Sequence, residues 1–146
     1  WHYAVQLSRP LWGQGSDRGR ARTPWILAGM AVLAAGSMMA VHATILSQEA
    51  PGAALLLAIL GFTLIGAGVG AAGTAMRALL ASGVAPGRRA AAASLTWIMM
   101  VAGIVLAAGI AGALLDPFSP ARLVRVAGAV VAAALLVTVL ALFRLE

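Results

Sequence analysis

The sequence predicts an all-α integral membrane bundle, and three observations carry that prediction. Four long apolar stretches (24–46, 53–83, 90–115 and 123–143) fill most of the 146 residues, and each is long enough to cross a bilayer as a helix. Hydrophobic residues make up 62% of the chain against 10% charged, more apolar surface than a soluble domain of this size has an interior to hold. The charges that exist cluster in short runs between the apolar stretches. The whole of 1–146 reads as a single membrane domain with about four full transmembrane helices.

The opening residues Trp1 to Leu7 are mostly apolar, with no basic run before them and no small-residue cleavage site after, so they do not read as a signal peptide. They read as the end of a preceding span, and the expectation is an interior piece of a longer protein. The segment 13–23 packs Asp17, Arg18, Arg20 and Arg22 between two apolar stretches, too much charge to bury in lipid, and is a short aqueous loop. Thr23 and Pro24 then predict a helix start, with Thr23 as N-cap and Pro24 in the first turn, where its missing N–H costs nothing. Trp12 and Trp25 fall at the expected interface.

The polar turn from Ser47 to Gly52 contains Pro51 and Gly52, which resist helix continuation and separate the first full span from the second. The second ends at Val84-Ala-Pro-Gly-Arg-Arg89, and the third crosses back to the turn 116–123. There Ser119 and Pro120 repeat the cap-then-proline pattern and launch the last helix, which ends near Arg144. Arg18, Arg20, Arg22, Arg88, Arg89, Arg144 and Arg9 fall on one side, against Arg122 and Arg125 on the other, so the first side is expected to be cytoplasmic. This arrangement also explains the net charge of +6 better than a nucleic-acid partner does: the arginines do not line one face.

Catalytic chemistry is poorly supplied. There is no Cys, and the two His and four acids (Asp17, Glu49, Asp116, Glu146) lack the spacing of a hydrolytic pair, a zinc site or a Ser/His/Asp constellation. The expectation is a protein without enzyme activity and without a metal site. Gly68-Val-Gly-Ala-Ala-Gly73 matches the dinucleotide fingerprint in letters, but it lies inside an apolar helix rather than at a strand-to-helix turn. A stripe of Gly66, Gly70 and Thr74, with Gly73 nearby, reads instead as a groove for close helix approach. Arg77 is a basic residue within an apolar span; it is either an intramembrane charge paired with Asp17 or a side chain that snorkels to the cytoplasmic headgroups. His42 is a candidate nitrogen ligand for a metal or a chlorin magnesium, set against a structural or solvent-facing role. Met38, Met39, Met99, Met100 and Trp97 offer soft surface suited to a flat hydrophobic ligand or to ordinary packing.

The loop Gly13-Gln-Gly-Ser-Asp-Arg-Gly-Arg-Ala-Arg22 resembles the G-x-x-x-D-R-x-G-R-R signature that joins the second and third helices of major facilitator superfamily transporters. Gly13, Asp17, Arg18 and Arg22 match in place; Arg20 and Ala21 depart from it. The resemblance implies a gate-side charge cluster of Gly13, Asp17, Arg18 and Arg77. Almost end to end, the chain resembles one branch of that superfamily, the PucC family. The matching segments include Leu7-Ser-Arg-Pro10, Arg22-Thr-Pro-Trp-Ile26, Leu64 through Thr74, Arg88-Arg-Ala-Ala-Ala-Ala93, Trp97-Ile-Met-Met100 and Asp116-Pro-Phe-Ser-Pro-Ala-Arg122. The last, an extracytoplasmic turn of Asp116, Pro117, Ser119, Pro120 and Arg122, is the most specific.

The resemblance implies the end of helix two through helix six of an N-terminal half bundle. It also implies an assembly factor for light-harvesting or reaction-centre complexes that binds or delivers bacteriochlorophyll. Its expected partners are membrane lipid and antenna or reaction-centre polypeptides, in the inner, intracytoplasmic photosynthetic membrane of a bacterium. Two alternatives stand beside it: a secondary transporter of a small solute, and a structural subunit of a photosynthetic membrane complex.

Overall fold

The computed structural model describes residues 22–143. They form four long helices: α1 (Thr23–Leu46), α2 (Pro51–Gly83), α3 (Arg89–Leu114) and α4 (Pro120–Leu142), with a 3-10 turn (Pro86–Arg88) leading into α3. All four are long and apolar enough to cross a membrane. Each lies within a few residues of its expected span.

The helix starts follow local chemistry, with two departures from expectation. Thr23 is the first helical residue rather than the cap; Arg22 occupies the N-cap position and its own side chain does not cap the end. Pro51 and Gly52, expected in the turn, form the first turn of α2, because proline at the start of a helix gives up only an N–H that has no partner there. At α4 the expectation and the structure agree: Ser119 is the N-cap, its side chain accepts a hydrogen bond from the Arg122 N–H, and Pro120 opens the helix. Ser119→Ala is expected to cost about 1 kcal/mol, read as a lower thermal unfolding midpoint of the full-length protein, while Ser119→Asp keeps the cap and the midpoint.

The core is the contact between α1 and α2, which run antiparallel. Small residues recur at every seventh position on both: Gly29, Gly36 and Ala43 on α1, Ala54, Gly61, Gly68 and Ala75 on α2, all buried. Seven residues are two helical turns, so each set forms one continuous strip, and strips without bulky side chains let the backbones touch. The fit is close. A Cβ added to Gly68 would lie 2.5 Å from the Gly29 carbonyl oxygen and 2.6 Å from the Leu33 nitrogen; one added to Gly36 would lie 2.6 Å from the Gly61 carbonyl oxygen. At the Arg-rich end Ile26, Ala72 and Ala75 close the core under Trp25, Met30, Leu79 and Leu142, the last from α4.

α4 lies along α1, whereas α3 touches α2 and α4 only over short stretches. Neither α3 nor α4 has a buried residue. Leu95, Trp97, Ile98, Met99, Ile104 and Leu106 of α3 are all exposed, with Trp97 at 65%. Such surface suits lipid or further protein.

Candidate functional site

Each end of the bundle gathers a set of the expected residues. At the Arg-rich end, the Arg22 guanidinium Nη1 donates to the Ala78 carbonyl at 2.9 Å and to the Ser82 hydroxyl, tying the start of α1 to the last turns of α2. This contact puts Arg22 and the Arg88-Arg89 turn on the same side. It also fixes the height of Arg77, which is next to Ala78 and therefore level with the first turn of α1. Arg77 is exposed, and among the described residues its side chain makes no hydrogen bond or ion pair. Gly13, Asp17 and Arg18, the other members of the expected charge cluster, lie outside the described residues.

The stripe of Gly66, Gly70, Gly73 and Thr74 does not make the close approach to α1. At ~100° per residue it lies on the opposite side of α2 from Gly61 and Gly68. Gly70 is buried, Gly66 and Thr74 are half-buried, and a Cβ added to Gly73 meets nothing within 4 Å. Gly70, Gly73 and Thr74 line a groove of about 450 Å³ shared with Thr96, Met99 and Met100 of α3. Both stripes are continuous on α2; what selects Gly61 and Gly68 is the matching pair Gly29 and Gly36 on α1. Their shared seven-residue spacing is a sequence signal that a search for four-residue spacing passes over.

At the opposite end, the turn between α3 and α4 brings together its expected residues. Arg122 Nη1 donates to the Asp116 carbonyl at 2.6 Å and the Pro117 carbonyl at 3.0 Å, while its backbone N–H is held by Ser119. The Asp116–Pro117 peptide is cis. Arg122 thus closes the loop onto the helix it precedes. Phe118 and Leu123 face an apolar groove of about 710 Å³ with Ala43, Thr44, Leu55 and Phe62 from the adjoining ends of α1 and α2.

His42 stands at the same end, on another flank of α1. Its ring is exposed, and Nδ1 lies 2.8 Å from the Met38 carbonyl oxygen. A carbonyl can only accept, so in the neutral ring Nδ1 carries the hydrogen and Nε2 keeps its lone pair. Such a backbone contact is how ligating histidines are commonly oriented. Toward the helix start, Ala35, Ala31 and Ala28 lie exposed at helical spacing on the same flank, with Met38 half-buried between them and His42. From His42 to Ala35 is about 10 Å of helix, an apolar shelf with Met38 between them. His42 would therefore be the residue to offer one nitrogen to the central metal of a planar macrocycle, with Met38 and Ala35 beside it. The shelf is not legible in the sequence, because alanines are abundant throughout the chain and only exposure separates these from the rest. Among the described residues no group of three or more His, Asp or Glu is placed to hold a metal ion.

Comparison with known proteins supplies the family. A family profile described as PUCC protein matches residues 1–146. The chain belongs to the PUCC protein family. A curated relative from Rhodobacter capsulatus, named bacteriochlorophyll synthase 44.5 kDa chain, is 48% identical over 145 residues, covering 99% of this chain and 34% of the relative. This PUCC-family chain thus spans about a third of that relative's length. No solved structure matches it.

Proposed function

We propose that the protein containing this chain is a multi-pass membrane factor that binds or delivers bacteriochlorophyll and associates with antenna or reaction-centre polypeptides during assembly. The observation that carries this reading is the end-to-end family match together with a relative whose name contains bacteriochlorophyll. The reading takes the pigment from that name and not the synthase activity, because handling a finished pigment needs a ligand and an apolar surface but no acid, base or nucleophile. His42 would supply the ligand: its Nε2 lone pair faces outward while Met38 holds the other ring nitrogen. Bacteriochlorophyll would supply a magnesium Lewis acid for that nitrogen, and Met38 and Ala35, within about 10 Å of His42 along the helix, would lie toward the edge of the macrocycle.

The bundle is that of a major facilitator N-terminal half in this reading, with the Arg-rich end in the cytoplasm by the excess of arginine there and the His42 end outside. The membrane is the photosynthetic inner membrane of a bacterium.

The test is an absorption spectrum and pigment extraction of the full-length protein, purified in mild detergent from its native membrane, with identification of the subunits that come with it. Stoichiometric bacteriochlorophyll on the protein together with antenna polypeptides is the expected result. Antenna polypeptides that carry all of the pigment themselves would indicate a structural subunit. Absence of both would point to transport of a small solute.

A further inference from the structure

Arg77 of α2 and Arg89, the first residue of α3, line one groove of about 350 Å³, with Ala81, Ala93, Trp97 and Met100. Three observations define what it can hold. The first is its height. α2 has 33 residues, about 50 Å of helix against a hydrocarbon layer of about 30 Å, so its ends reach the headgroups. Arg77, six residues before the end of α2 and beside the residue that the N-cap Arg22 contacts, lies toward the headgroup end of that helix.

The second is charge. Arg77 has no partner among the described residues, and Arg89 uses only Nε, on the Val84 carbonyl at 3.3 Å. The described acids, Glu49 and Asp116, stand at the other end of the bundle. Two guanidinium groups thus share a groove without a carboxylate from the described residues. The third is the lining. Below the two arginines the groove is walled by alanines and continues to Trp97 and Met100, about 16 Å along α3 from Arg89. A ligand that satisfies both halves carries an anionic head and an acyl tail.

We propose that this groove binds an anionic phospholipid of the leaflet at the Arg-rich end. Its phosphodiester sits between Arg77 and Arg89, whose planar forks suit phosphate oxygens, and one acyl chain runs past Ala93 to Trp97 and Met100. Basic pockets between helices on the cytoplasmic side take such headgroups, and each arginine near the surface adds to the attraction. The site is independent of the pigment assignment, which concerns the opposite end of the molecule.

The experiment uses the full-length protein, delipidated in mild detergent and offered phosphatidylglycerol or phosphatidylcholine, with retained lipid counted by native mass spectrometry. Wild type is expected to retain phosphatidylglycerol about tenfold or more over phosphatidylcholine. In the double variant Arg77→Gln, Arg89→Gln that preference falls to near unity. Arg88→Gln, which removes a neighbouring charge outside the groove, keeps it.

Because the double variant removes two charges and its folding is not assured, Ala93→Leu provides a second arm that leaves every charge in place. By filling the path of the acyl chain it is expected to lower retention severalfold. Asp17→Asn is expected to leave the preference intact. Retention of the preference by the folded double variant would overturn the proposal. So would a severalfold rise in the preference in Asp17→Asn, which would assign Arg77 in the wild type to an ion pair within the chain, or equal retention of glycerol phosphate, which would make this a site for the free anion.

Discussion

Gly68→Val in the full-length protein is expected to leave little folded protein in the membrane, whereas Gly73→Ala, five residues along the same helix, leaves it intact. The Cβ of any residue at 68 would stand 2.5 Å from the Gly29 carbonyl oxygen and 2.6 Å from the Leu33 nitrogen, and both are backbone atoms of a helix that cannot give locally. Relief requires α1 and α2 to separate, which loosens the strip from Ala43 and Ala54 to Ala75, the residue with 1% exposure that closes the core at the Arg-rich end. A cost of about 3 kcal/mol, the upper end of ordinary overpacking, is expected from the first methyl alone, and the two further carbons of valine add to it. At Gly73 an added Cβ meets nothing within 4 Å, and alanine gains up to about 1 kcal/mol of helix propensity. Thermal unfolding midpoints in one detergent, with membrane yield, measure the pair. If Gly73→Ala proves the more damaging, the close approach lies on the other stripe of α2.

His42→Ala is expected to lower the pigment-to-protein ratio of the purified full-length protein while leaving its unfolding midpoint unchanged. The ring is exposed and, among the described residues, its one hydrogen bond goes to the carbonyl one turn back, so removing it opens no cavity and orphans no buried group. If His42 holds the pigment as proposed, its loss weakens binding by at least the roughly 10–100-fold that loss of an outer partner costs a metal site. Added imidazole restores part of the pigment, because a small neutral ring can occupy the vacated space. Ala35→Leu, which raises a bulky side chain on the shelf while sparing the ligand, is expected to reduce pigment without imidazole rescue. An unchanged ratio in both variants would remove His42 and its shelf from any pigment site.

The residues legible in the sequence are those whose behaviour is decided within a turn or two of helix. The four spans follow from the length of each apolar run, since no water reaches the backbone in hydrocarbon and only a helix satisfies it from within. Ser119 and Pro120 are legible for the same local reason, a hydroxyl at the cap and a ring without an N–H in the first turn, whereas the return of Arg122 to the carbonyls of Asp116 and Pro117 is seen only in the structure. Thr23 reads one position away from its role, because a threonine before a proline serves equally as cap or as first helical residue. Gly13, Asp17 and Arg18 are legible only as a resemblance, and they lie outside the described residues.

By itself, then, the sequence determined the solvent, the number and limits of the helices among residues 22–143, and the side on which the arginines gather, all consequences of hydropathy and local capping. Only the tertiary structure decided which small residues touch. Gly61 and Gly68 are chemically the same as Gly66 and Gly70, and a helix that is apolar all round has no polar face whose contrast would mark the buried one. The choice comes from the matching seven-residue strip of Gly29 and Gly36 on α1, because van der Waals contact between backbones exists only when both surfaces are bare at the same height. The same packing put Arg77 beside the Arg22 contact and left the Nε2 flank of His42 open, two placements that depend on how α1 is turned against α2.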